Sequence, residues 1–112
     1  MRVAASPESV VISLVTLVEL EGGIASDPPE AARRRVALDD LLTDVGVAPL
    51  DRAVVNAYKD IVRATGFSRR RVLDRLIAAT AVLHGWPLAT MNFKDFRDIP
   101  DLRLEVWPAP AQ

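Results

Sequence analysis

The chain has 112 residues, half of them hydrophobic, and a formal net charge of −1. That length implies one domain spanning 1–112 with a core of its own, and the near-neutral charge argues against a protein that holds nucleic acid by bulk electrostatics, though not against an enzyme that processes it through a local basic strip. With no cysteine and His84 as the single histidine, disulfides, thiolate metal sites and multi-histidine zinc sites are excluded as well.

The first element legible in the chain is "VVIS", β-branched and preceded by Pro7 and Glu8, which reads as a short buried strand. The apolar run it opens, residues 10–18, is too short for the roughly 20 residues a bilayer requires. Glu8 and Glu19 flank that run and argue against an export signal, so the chain reads as cytoplasmic with no membrane partner. From Ser13 or Thr16 the pattern turns helical, and Gly22-Gly23 predicts its end. In "SDPPEAARRRVALDDLLTDVG" a second helix is predicted, with Ser26 or Asp27 as its cap and prolines in its first turn. Its apolar positions, Ala32, Val36, Leu38, Leu41 and Leu42, suggest one buried face. "VGVAPL" reads as a second strand.

A helix over 51–65 follows, capped by Asp51 and stopped by Gly66. Ser68 is the expected cap of the next helix, "VLDRLIAATAVL", which Gly85 ends. "PLATM" and "LRLEVW" are the third and fourth strands, and 108–112 form a frayed tail. Strands separated by helices predict parallel pairing and an α/β layer architecture.

Three carboxylates stand out against this frame. In parallel α/β sheets, ligands gather beyond the carboxyl ends of the strands. Glu19 follows the first strand, Asp95 follows "PLATM", and Asp74 interrupts the most apolar helix of the chain. At 100° per residue Asp74 shares a face with Ile77, Ala78 and Ala81, small and apolar, so its carboxylate is expected to point inward. Each acid also has a local explanation: Thr16-x-x-Glu19 has capping-box spacing, Asp74 suits a helix amino terminus, and Asp95 suits a turn cap. Drawn into one cleft, the three would repel, and a divalent cation would relieve that repulsion. Oxygen donors without His or Cys point to Mg²⁺ or Mn²⁺.

The blocks "ISLVTLVELEGG", "SRRRVLDRLIAATAVLHG" and "PLATMNFKDFRDIPDLRLEVW" together resemble the PIN domain family, and most of all its VapC-like toxins of type II toxin–antitoxin pairs. The resemblance covers residues 10–107. It implies a three-layer α/β/α fold on a parallel sheet and a metal-dependent endoribonuclease, often dimeric, silenced by a cognate antitoxin. It also assigns Glu19, Asp74 and Asp95 as the catalytic, Mg²⁺- or Mn²⁺-holding acids that activate water against an RNA phosphodiester. Around them, Thr90 and Asn92 are candidates for orienting ligands, and Arg70 and Arg71 for contacting phosphate. Arg33-Arg34-Arg35 reads as a solvated face, His84 as a helix-dipole partner, and Trp86 and Trp107 as packing residues.

One departure from the family pattern bears on both site and sheet. PIN domains open with a central strand that ends in an acid, and "MRVAASPES" contains no such segment. The expected sheet is therefore N-terminally truncated, without its central first strand. A misassigned start, a shortened remnant and a partner-supplied strand all remain open as explanations. In such a sheet the flanking strands would have to close up, or another chain would have to fill the gap. The alternative function is then an inactive remnant that serves only as an antitoxin-binding or oligomerisation module.

Overall fold

The structure, a computed structural model, describes residues 3–5, 10–90 and 92–106. Five strands form one sheet: β1 (Val3–Ala5), β2 (Val10–Ser13), β3 (Gly46–Ala48), β4 (Leu88–Thr90) and β5 (Leu104–Val106), in the order β3-β2-β1-β4-β5. Four helices connect them: α1 (Leu14–Ala25), α2 (Ala31–Asp44), α3 (Arg52–Thr65) and α4 (Val72–His84). The pairs β2–β3 and β4–β5 are parallel, as the alternation of strands and helices predicts.

The centre of the sheet corrects the expectation of a missing strand. Val3–Ala5 occupies that position and runs antiparallel to both neighbours, with Ala4 opposite Val11 on one side and Leu88 on the other. Neither closure of the flanking strands nor a second chain is needed. The direction follows from chain length: only residues 6–9 separate β1 from β2, and a parallel partner would require a crossover of a dozen or more residues. The sheet is therefore mixed, with a reversed centre between two parallel wings.

Apolar side chains cover both faces of the sheet. Consecutive β4 residues point to opposite sides, so Leu88 joins the core with Val54, Ile61, Ile77, Ala78 and Ala81 of α3 and α4, whereas Ala89 packs with Ile12 against Leu17, Leu20, Leu42 and Val45. That makes three layers, with α1 and α2 on one face and α3 and α4 on the other. No helix among the described residues is long and apolar enough to cross a membrane.

Several boundaries differ from the sequence reading, each for a local reason. Ser13 caps α1, its Oγ accepting from the Thr16 backbone N–H at 3.0 Å, so Thr16 lies inside the helix and does not open a capping box with Glu19. α1 continues through Gly22 and Gly23 to Ala25 because Ile24, beyond them, packs into the cleft facing α2. Neither Ser26 nor Asp27 caps α2; a 3₁₀ turn over Pro28–Glu30 precedes it, and Asp27 pairs with Arg34 at 3.1 Å. On α2 only Leu38 is buried, while Val36, two residues and 200° away, is 70% exposed. Asp51 caps α3 as predicted, accepting from the Val54 N–H at 3.1 Å. Gly85 ends α4 in the left-handed conformation, with φ at 69°. Ser68 makes no capping bond, and Arg69–Arg71 forms a 3₁₀ turn before α4. Met91, Trp107 and the predicted tail at 108–112 lie outside the described residues.

Candidate active site

Because β1 is antiparallel to both β2 and β4, those two strands are parallel to each other. The carboxyl ends of β2, β3, β4 and β5 therefore share one edge of the sheet. Asp95 comes shortly after β4 there; Glu19 is the sixth residue of α1, which leaves β2 at this edge; and Asp74 is the third residue of α4, the helix that leads back to the amino end of β4.

Ser13 turns the chain from β2 into α1. Buried with Thr16, it also donates its hydroxyl to Thr16 Oγ1 at 3.1 Å, which fixes the start of the helix. Glu19 follows half-buried on the next turn. It lines an otherwise mostly apolar cleft of about 280 Å³ between α1 and α2, with Gly23, Ile24, Arg34, Leu38 and Leu41 among its walls. Asp74 is the third residue of α4, half-buried at the margin of the face formed by the buried Ile77, Ala78 and Ala81. Asp95 ends a 3₁₀ turn over Phe93–Asp95, just after β4. It lines a separate cleft of about 440 Å³ with Asn92, Phe93, Lys94 and Arg97.

The sequence-predicted residues thus reach one edge without forming one ligand set. Among the described residues, no group of three or more Asp, Glu or His side chains stands close enough to hold a metal ion. The donor chemistry suits a hard divalent cation, but the arrangement does not complete a site for it. Chain direction contributes to this: β1 ends at Ala5, opposite Val10 at the amino end of β2, so its carboxyl end lies at the far edge of the sheet.

The remaining candidates divide between surface and interior. Arg70 is exposed and Arg71 half-buried, both in the turn that leads into α4. Asn92 is exposed in the Asp95 cleft. Thr90, expected to orient a ligand, is instead fully buried, and its hydroxyl oxygen accepts the Asn92 backbone N–H at 3.0 Å. It shapes the turn that presents Asn92 and Asp95. Arg33, Arg34 and Arg35 form a surface ion-pair ladder with Glu30, Asp27, Glu21 and Asp39. His84 stacks on Trp86, ring centroids 4.2 Å apart, at the end of α4.

Arg75 was not predicted as a residue of this edge. It is only 3% exposed; Nη1 donates to the Gly66 carbonyl at 2.6 Å and Nη2 to Asp98 Oδ2 at 3.3 Å, while buried Nε has no partner among the described residues. It ties the end of α3 and the loop after Asp95 to the helix that carries Asp74. The signal available in the sequence was its spacing: Arg75 shares a helical face with Ala78, Ala79 and Val82.

Known proteins agree with this architecture. The PIN domain family model matches residues 2–102. Ribonuclease VapC4 of Mycobacterium tuberculosis is 35% identical over 96 residues, covering 83% of this chain and 73% of that protein. Ribonuclease VapC of Rickettsia bellii is 49% identical over 37 residues, 33% of this chain and 28% of that one. Among solved structures, VapBC2 of Rickettsia felis bound to a promoter DNA fragment superposes with a TM-score of 0.76 at 27% identity, covering 87% of this chain and 74% of the other. DNA-bound VapBC of Salmonella typhimurium gives a TM-score of 0.75 at 25% identity, with the same coverage. In sequence and in fold, the chain belongs to the PIN domain family and is VapC-like within it.

Proposed function

We propose that the protein is the ribonuclease toxin of a type II toxin–antitoxin pair, acting on RNA in the cytoplasm. The observation that carries this reading is the similarity to ribonuclease VapC4 across 83% of the chain and to the PIN domain family over residues 2–102, with Glu19, Asp74 and Asp95 as the candidate acids near the carboxyl ends of the strands. Family nucleases generally use a divalent metal. Glu19, Asp74 and Asp95 are the residues that would hold Mg²⁺ or Mn²⁺, whose chemistry is to acidify a bound water and to neutralise phosphate charge.

The chain's own residues do the rest. Arg70 and Arg71, beside Asp74, attract and orient the phosphate backbone, and Asn92 offers a donor next to Asp95. Inhibition by a cognate antitoxin fits the α1–α2 cleft, whose apolar walls, with Glu19 and Arg34 among them, match a short amphipathic segment. A second copy of the chain is the other expected partner.

The test is cleavage of a structured RNA by the purified chain, with Mg²⁺ or Mn²⁺ and with EDTA. Cleavage should require the metal, and Asp74→Asn and Asp95→Asn should each lower it at least a hundredfold with unchanged circular dichroism. Chelator-resistant cleavage would exclude the metal mechanism. The dispersed acids and the reversed β1 favour one second reading, an inactive module that only binds antitoxin. Absence of cleavage together with intact antitoxin binding would establish it.

A further inference from the structure

We propose that Phe67 and Phe93 are base-stacking platforms flanking the acidic edge, two binding residues for the RNA substrate. The inference rests on the ribonuclease reading and names residues that would hold its substrate. The chain has three phenylalanines. Phe96 is buried at 1% exposure, whereas Phe67 and Phe93 are 68% and 43% exposed. Phe93 and Phe96 belong to one short turn, which sends one ring into the core and leaves the other outside.

Both exposed rings belong to segments that Arg75 holds together. Phe67 follows Gly66, whose carbonyl accepts from Arg75 Nη1, and Phe93 opens the turn leading to Asp98, which accepts from Nη2. Cations neighbour both rings: the exposed Arg69 and Arg70 follow Phe67 in the chain, and the exposed Lys94 and Arg97 line the Phe93 cleft together with Asp95. Exposed aromatics interleaved with cations suit a single strand, in which bases are free to stack while the backbone follows the charges. A duplex keeps its base faces stacked within itself and cannot use the rings. Near-neutral net charge makes this local strip the main source of grip.

Binding is measured in EDTA, which separates it from cleavage, by anisotropy of a labelled unpaired oligoribonucleotide and of the same sequence annealed into a duplex. Phe67→Ala and Phe93→Ala should each weaken single-strand binding about tenfold and leave duplex binding unchanged. Phe93→Trp should retain or tighten it, while Phe93→Leu, apolar without a π-face, should behave like the alanine variant. The slope of log affinity against log salt should stay constant in the Phe variants. In Arg97→Gln, which leaves one phosphate without its cation, that slope should fall by about 0.7. Val36→Ala, on an exposed face of α2, serves as the control. Wild-type single-strand affinity in both Phe→Ala variants would overturn the proposal. So would a loss of dimer mass in Phe67→Ala with RNA binding intact, which would assign that ring to a second copy. Phe-dependent binding by a chain that never cleaves would uphold the platforms and refute only the enzyme reading.

Discussion

Arg75 shows how a single side chain sets the energetics of the corner between α3 and α4. Two of its nitrogens are matched, to Gly66 and Asp98, but buried Nε has no partner among the described residues. A buried unpaired N–H costs about 1–3 kcal/mol, which offsets much of what the two bonds contribute. Arg75→Met keeps most of the volume and removes the orphan donor, so its stability should stay within about 1 kcal/mol of wild type. Arg75→Ala opens a cavity in the same place and should lose about 2–4 kcal/mol. Urea denaturation of the two variants checks the ordering. If Met and Ala are equally destabilising, the hydrogen bonds matter more than the packing.

At the scale of elements, α1 and α2 are joined by a charged latch as well as by apolar packing. Arg35 pairs with Glu21 across the two helices and with Asp39 one turn along its own. The hydrogen bond from Arg35, with its positive charge, lowers the Glu21 pKa below the ordinary 4.5. A lowered folded-state pKa favours folding above the unfolded value, and that contribution disappears as pH falls through the folded value. The difference in melting temperature between wild type and Glu21→Gln should therefore be present at pH 7 and vanish as acidification passes below 4.5 and through the lowered folded-state value. Because the pair is exposed, 0.5 M salt should shrink the difference at pH 7 as well. A pH-independent difference would assign the effect to packing of the Glu21 stem.

Helices were the most legible elements because their signals are local. Asp51 and Gly66 bracket α3, and Gly85 ends α4, within a turn of where the sequence puts them. The start of α2 was harder to read, since Asp27 spends its carboxylate on Arg34, a partner seven residues along the chain. The order of strands and helices made Glu19, Asp74 and Asp95 legible as candidates. Their spatial arrangement was not, since it depends on how α1 sits against α4 and on a loop held by the Arg75–Asp98 pair. Least legible was β1: in "VAA" no local pattern marks a strand, and only pairing with residues far along the chain makes it one.

For the molecule as a whole, β1 is the strand that links the two parallel wings of the sheet. Ala4 pairs with both Val11 and Leu88 at the middle of this three-residue strand. Ala4→Pro removes an amide donor and forces an unsuitable ring into a central strand, so it should cost about 3 kcal/mol or more. Hydrogen exchange should then accelerate in β2 and β4 together. Exchange that accelerates in only one of them would show that the wings hold together without β1.

The same strand constrains how the protein is made. Its partner on one side, β2, follows within a few residues, but its partner on the other, β4, is translated only after all four helices. On the ribosome the hairpin of β1 and β2 must therefore wait with one edge open until the last quarter of the chain emerges. An open edge of that kind is a pairing site for any other extended chain nearby.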